Sequence, residues 1–180
     1  MERLPGSLPP AEAPAPPRAT RLSLVHRPDV DVEIWMGGTH SLLGDEIDAE
    51  ALTEAVVVDC SGELGEPYRS QAGRYVARVF LDLEAVPSAY PRIATLVHEL
   101  AEAVTAGTPD DAGRPRRIYV LCQQGMNRSG LVVGLLLRAL GEEPERALTL
   151  IRELRPGALS NETFAGLVER WSCPAGEPAG

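Results

Sequence analysis

Ile118-Tyr119-Val120-Leu121-Cys122-Gln123-Gln124-Gly125-Met126-Asn127-Arg128-Ser129-Gly130 reads as a buried strand, a tight polar loop and the start of a helix that continues through Leu131-Val132-Val133-Gly134-Leu135-Leu136-Leu137. A loop so placed curls its backbone N–H groups at a helix N-terminus, where the aligned peptide dipoles favour an anion, phosphate above all. Cys122 opens the loop and Arg128 closes it. The N–H groups and the guanidinium stabilise the thiolate of such a cysteine, and thiolate is the nucleophilic form. Arg128 can return over the loop and hold two phosphoryl oxygens in the bidentate geometry that lysine lacks. Ser129 can donate a hydrogen bond to the sulfur.

The remaining elements follow outward from that loop. Upstream, Ala55-Val56-Val57-Val58-Asp59-Cys60 is a continuous apolar run suited to a parallel strand buried on both faces. Another strand is predicted over 75–81, ending at Asp82. Arg21-Leu22-Ser23-Leu24-Val25 and Val30-Asp31-Val32-Glu33-Ile34-Trp35 alternate as half-buried antiparallel strands do, with a turn around Pro28-Asp29, and Gly37-Gly38 is read as ending the second. A weak helix is predicted over 45–54. Ile93, Leu96, Val97, Leu100, Ala101 and Val104 recur at three- and four-residue steps, an amphipathic helix. A polar linker with Pro109, Gly113 and Pro115 leads into the strand that delivers Cys122. Helices are predicted over 130–140, 144–154 and 160–171. This order argues for an α/β three-layer sandwich with a small, mostly parallel central sheet flanked by helices. Ligands of such sheets bind beyond the carboxyl ends of the strands, where Cys60, Asp82 and Cys122 converge.

The 180 residues, 44% apolar, suit one domain with a real core. Residues 1–19, rich in Pro and Ala, cannot bury enough surface to fold and read as a disordered tail; 20–172 form the domain, and 173–180, with Cys173, a flexible C-terminal tail. No run approaches the roughly 20 apolar residues of a membrane span, and no signal-peptide h-region opens the chain, so a cytoplasmic protein is expected. Three cysteines without framework spacing argue for reduced thiols. A net charge of −9 disfavours nucleic acid and anionic membrane as partners while permitting one local positive pocket. His26, His40 and His98 are scattered without metal-ligand spacing, so neither metal nor cofactor is expected.

Cys122 to Ser129 matches the C-x5-R-[ST] signature of the cysteine-dependent phosphatases, and the chain resembles their dual-specificity branch over roughly residues 30–171. Arg155-Pro156-Gly157-Ala158-Leu159-Ser160-Asn161 resembles the R-P-x-A-x-x-N segment that follows the phosphate loop there. The resemblance implies the same α/β fold and a phosphomonoester hydrolase, with a phosphoprotein or phosphopeptide as substrate. Gln123, Gln124, Gly125, Met126, Asn127 and Arg128 would bind the phosphate, and Cys122 would attack phosphorus in line. Asp82, where the family carries its mobile acid loop, would protonate the leaving oxygen, since an alkoxide departs poorly at neutral pH; Glu84 is the fallback. Ser129 would ease departure of the sulfur, and Asn161 would brace the loop from the following helix or cap that helix.

Two departures stand out. The family usually has His before the cysteine, and here the position is Leu121. Asn127, before the arginine, makes C-x-x-G-x-N-R-[ST], which resembles the phosphatase-fold RNA 5′-triphosphatases, the alternative reading; a non-catalytic phosphopeptide-binding module is a third. The loop interior has no basic residue, which disfavours phosphoinositides. Cys60 reads either as a small core hydrophobe or as a thiol that captures an oxidised Cys122. The segment around it resembles the strand end of the tensin-like lipid phosphatases, where a cysteine pairs with the nucleophile under peroxide.

Overall fold

The computed structural model describes residues 19–22, 30–39, 47–106 and 116–172. The tails, the turn at Pro28-Asp29, the linker over 107–115, His26, His40 and Cys173 lie outside those residues, apart from Ala19 and the first residues after it.

Five strands form one sheet: β1 (Thr20–Leu22), β2 (Glu33–Gly38), β3 (Val56–Asp59), β4 (Arg74–Ala77) and β5 (Arg117–Cys122), in the order β1-β2-β5-β3-β4. Only β1 is antiparallel to its neighbour. β5 lies between β2 and β3, so both of its edges are paired and both of its faces covered, the environment that a continuous run of Ile, Tyr, Val and Leu requires. Among the described residues six helices lie between and after the strands: α1 (Ala49–Leu52), α2 (Glu66–Arg69), α3 (Tyr90–Ala106), α4 (Arg128–Ala139), α5 (Pro144–Leu154) and α6 (Glu162–Glu169).

The two faces are unequal. Ile118, Val120 and Cys122 of β5, with Ile34, Met36 and Val58 beside them, join one large cluster with the apolar sides of α3, α4, α5 and α6. Tyr119 and Leu121 point the other way, into a small cluster with Val57, Leu64 and the α1 residues Ala51 and Leu52. Period-two alternation on a paired strand therefore decides that the nucleophile candidate faces the four longer helices. α4 is buried on all sides from Ser129 to Leu137, which is why its sequence shows no polar stripe. At Gly134 an added Cβ would stand 2.6 Å from Val168 Cγ2, so this glycine lets α6 close on α4.

Several element bounds differ from the sequence reading. Gly37 and Gly38 do not end β2 but pair with Leu121 and Cys122; a Cβ on Gly37 would stand 2.9 Å from the Tyr119 hydroxyl, so the glycine marks close packing. β4 stops at Ala77 instead of Leu81, because the β3–β4 ladder ends at the Asp59–Ala77 pair. Two further bonds, Arg78 N–H to Asp59 O (2.8 Å) and Phe80 N–H to Cys60 O (3.4 Å), tie the next residues to the end of β3. α1 is shorter than 45–54 since Asp48 Oδ1 accepts from Ala51 N–H at 2.9 Å and sets the start there. α2 was not anticipated. α4 begins two residues earlier than predicted, which puts Arg128 and Ser129 in its first turn. α6 begins at Glu162 because Asn161 takes the cap.

Candidate active site

The loop between β5 and α4 closes around the Cys122 sulfur, which is 2% exposed. Gly125 N–H donates to Cys122 Sγ at 3.2 Å, and Ser129 Oγ stands 3.3 Å from it. Gly125 adopts φ +68, the left-handed region open to glycine at little cost. A Cβ there would meet Gly37 C at 2.4 Å and Arg155 Nη2 at 2.6 Å. The loop is thus held against the end of β2 on one side and a guanidinium on the other. Thr39 N–H adds bonds to Cys122 O (2.9 Å) and Gln123 O (3.2 Å).

Arg155 is the residue the sequence reading missed. Buried, it donates from Nε to Gly125 O and from Nη2 to Gln124 O at 3.1 Å. Holding the Gln124 carbonyl outward turns the Gly125 N–H of the same peptide toward the sulfur, so a positively charged side chain shapes the loop without entering it. The signal was present in the sequence, as the first residue of the Arg155–Asn161 segment. Gly157 and Leu159 of that segment take φ +88 and +53, and Leu159 N–H reaches Met126 O at 3.4 Å.

Asp82 lies five residues beyond β4, exposed, and is brought to the loop by two amides: Asn127 Nδ2 donates to Oδ2 and Asn161 Nδ2 to Oδ1, each at 2.9 Å. Asn127 Oδ1 in turn accepts from Ser160 Oγ and Asn161 N–H, each at 3.2 Å. Asn161 caps α6 through Oδ1, accepting from Phe164 N–H at 3.1 Å, and its Nδ2 also donates to Leu83 O at 2.9 Å. The two roles weighed for Asn161 are compatible, since its amide reaches the Asp82 segment while its backbone reaches Asn127 of the Cys122 loop. Arg128 Nη1 donates to Phe80 O at 3.3 Å, beside the same segment. Glu84 is exposed and makes no hydrogen bond among the described residues. Around Asp82 the side chains of Val79, Leu81, Leu83 and Val86 are exposed, forming an apolar rim.

Leu121, at the position before the cysteine, is fully buried in the smaller cluster and turned away from the sulfur. Gln123 is partly exposed and Gln124 exposed, while Met126 sits with its methyl 3.0 Å from where a Cβ on Gly157 would lie. His98 stacks on Trp171, ring centroids 5.1 Å apart.

Cys60 follows the Asp59–Leu121 register pair and its N–H donates to Leu121 O at 2.7 Å, so it lies beside Cys122 on the neighbouring strand and in the same cluster. Burial pushes the Cys60 thiol well above its ordinary pKa; Cys122 and Asp59 add to this and Arg128 opposes it. Asp59 is a second residue that sequence reasoning passed over, although Asp with Ser61 and Gly62 two and three residues on is an Asx-turn signal. Its buried carboxylate accepts from Ser61 N–H and Gly62 N–H through Oδ1, and from Leu64 N–H and the Tyr75 hydroxyl through Oδ2, at 2.8–3.0 Å. Burial alone would raise its pKa; the hydrogen bonds from Leu64, Gly62, Ser61 and Tyr75 outweigh burial and hold it below the usual value. Tyr75 is pushed up to about 12, by burial first and then by the Asp59 bond.

The architecture is that of the dual-specificity and protein tyrosine phosphatases. The Yvh1 phosphatase domain from Chaetomium thermophilum superposes with a TM-score of 0.57 at 16% identity, over 85% of this chain and 94% of that one. Human DUSP28 gives 0.55 at 18%, over 88% and 95%. Kinase-associated phosphatase, in a form with its catalytic-site cysteine replaced by serine, gives 0.57 at 18%, over 83% and 90%. No protein-family model and no curated protein matches the sequence. Among the described residues no helix is long and apolar enough to cross a membrane.

Proposed function

We propose that the protein is a cysteine-dependent phosphomonoester hydrolase of the dual-specificity type, acting on phosphoprotein or phosphopeptide through a cysteinyl-phosphate. The observation that carries this reading is the Cys122 sulfur held between Gly125 N–H and Ser129 Oγ, with Asp82 fastened to Asn127 one residue from Arg128. Cys122 thiolate forms a bond to phosphorus as the bond to the ester oxygen breaks. Arg128 and the loop N–H groups take up the charge spread over the equatorial oxygens. The Asp82 proton passes to the leaving oxygen. Asp82, then ionised, removes a proton from water as that water attacks phosphorus, and the Cys122 sulfur departs toward the Ser129 hydroxyl. Phosphate leaves and Asp82 ends protonated, as it began. No step calls for a metal.

Asn127, which suggested an RNA 5′-triphosphatase, has another use in the fold, since it joins the acid segment to the loop. The test is hydrolysis of an aryl phosphate in the presence of a chelator. Cys122→Ser should abolish turnover and retain phosphate binding, and Asp82→Asn should slow substrates with poor leaving groups by roughly 10²- to 10⁴-fold. Activity retained in Cys122→Ser, or lost to the chelator, overturns the cysteine mechanism. Cleavage of RNA 5′-triphosphate faster than phosphopeptide, with Asp82→Asn harmless, would establish the triphosphatase instead.

A further inference from the structure

β4 is the last strand of the sheet and pairs with β3 alone. Arg74 N–H donates to Ala55 O at 3.2 Å and Arg78 N–H to Asp59 O at 2.8 Å, so the even-numbered residues of this stretch turn their backbone groups toward β3. Those groups alternate in direction along a strand, and the ones on Tyr75, Ala77 and Val79 therefore face outward. Among the described residues no acceptor meets their N–H groups. Ala77 and Val79 are exposed, which leaves the edge open to solvent. Ala77 O is met only by the neighbouring side chain, Arg78 Nη1 bending back to donate at 2.8 Å. Unused donors in a row, beside a carbonyl served by its own strand, describe an edge that can take a further strand.

The side chains on this edge select its partner. Residues 70–81 hold Arg74 and Arg78 and neither Asp nor Glu, in a chain of net charge −9. Period-two alternation puts both arginines on the face of β4 that carries the buried Val76, the face of the main core. The α3 residue Arg92 shares with Arg78 a cavity of about 180 Å³ along the edge, lined also by Ala77, Val79 and Ala89. Among the described residues Arg74, Arg78 and Arg92 have no ion-pair partner, and Arg78 Nε is buried without an acceptor. Two copies of the chain paired edge to edge would set arginine against arginine, and like charges facing each other destabilise a ladder. A neutral strand would leave the guanidiniums unmatched. An acidic strand matches them.

We propose that the outer edge of β4 binds an extended acidic segment of a partner protein as an added strand. The segment's backbone bonds to Tyr75, Ala77 and Val79, its acidic side chains four residues apart face Arg74 and Arg78, and apolar side chains on its other face lie against Ala77 and Val79. Arg78 Nη1 then leaves Ala77 O for a carboxylate, and an N–H of the partner takes its place at that carbonyl. Nothing in this docking depends on the chemistry at Cys122.

The test titrates the full-length ¹⁵N-labelled protein with a peptide of alternating Glu and Val, and with one of alternating Lys and Val as the control. The expected result is a saturable shift of the Tyr75, Ala77 and Val79 amide signals, with their hydrogen exchange slowed at least about tenfold, from the Glu peptide alone. Ala77→Pro removes one outward N–H and spares the ladder to β3, since proline is tolerated on an outer edge; it should abolish binding and leave the unfolding midpoint in place. Arg74→Gln/Arg78→Gln should weaken binding roughly tenfold. Exchange that is not slowed at the three amides, an equal response to the Lys peptide, or binding that survives Ala77→Pro overturns the proposal. If Ala77→Pro does not fold, the arginine variant decides, and undiminished affinity in it overturns the charge match. Shifts of the same amides with protein concentration, in the absence of peptide, would assign the edge to a second copy and overturn the acidic partner.

Discussion

Asp at position 161 would separate two tasks that Asn161 performs at once. Its Oδ1 caps α6, accepting from Phe164 N–H at 3.1 Å, whereas Nδ2 donates to Asp82 Oδ1 and Leu83 O, each at 2.9 Å. Asp and Asn cap helices equally well, and a negative charge at a helix N-terminus is favourable, so Asn161→Asp keeps the cap. It removes both donors and turns a carboxylate toward another carboxylate and a carbonyl. Two hydrogen bonds at about 1 kcal/mol each amount to about 2 kcal/mol, or roughly 30-fold in the equilibrium that keeps the acid segment on the loop. Repulsion from Asp82 adds to that. Turnover of a phosphoserine peptide, which needs its leaving oxygen protonated, should therefore fall by about 30-fold or more, while p-nitrophenyl phosphate, with its good leaving group, changes by less than about threefold. The same ~2 kcal/mol should lower the unfolding midpoint by about 4–8 °C, so both substrates are assayed well below it. Equal losses on the two substrates would refute the view that Asn161 places the acid.

Gly125→Ala forces a Cβ to within 2.4 Å of Gly37 C at φ +68, so phosphate affinity should drop more than about tenfold, measured by titration, and unchanged affinity would mean that the loop tolerates a side chain. Asp59 has its folded pKa below its ordinary value of 3.8, so the stability it contributes is complete above about pH 4 and is lost as pH falls from there through the lower folded value. Asn at 59 turns an NH₂ toward the donors of Leu64 or Tyr75, and should destabilise by about 2–4 kcal/mol at pH 7 with the deficit narrowing below pH 4; denaturant titrations across pH check both the size and the sign. Adjacent strands place Cys60 and Cys122 about 5 Å apart, inside the range a disulfide spans. Peroxide should therefore yield a reductant-reversible Cys60–Cys122 bond and irreversible loss in Cys60→Ser, although burial holds the Cys60 thiol protonated and so slows capture; peptide mapping that finds oxidised Cys122 never joined to Cys60 leaves Cys60 as packing.

The fold class and the strand–loop–helix unit around Cys122 were legible in the sequence because both are local. Period-two and period-3.6 patterns report which face of an element is buried, and a strand, a short glycine-bearing loop and a helix are contiguous in the chain, so the sequence could place Cys122, Arg128 and Ser129 around one loop. α5 was placed at its observed bounds for the same reason: Pro144 opens it and one apolar stripe runs its length. What depends on residues far apart in sequence was decided by tertiary structure. Gly37 looked like a strand end until the Tyr119 ring was packed against it. Arg155 looked like part of a motif, and only the approach of the segment after α5 to Gln124 and Gly125 gives it a task. The Asp82–Asn127–Asn161 triangle joins three elements 45 and 34 residues apart, and no periodicity encodes it. Side-chain hydrogen bonds of this kind carry about 1 kcal/mol each and form wherever a packed core brings donors and acceptors within 3 Å. The core is specified by pattern; which polar groups it brings together is specified by geometry alone.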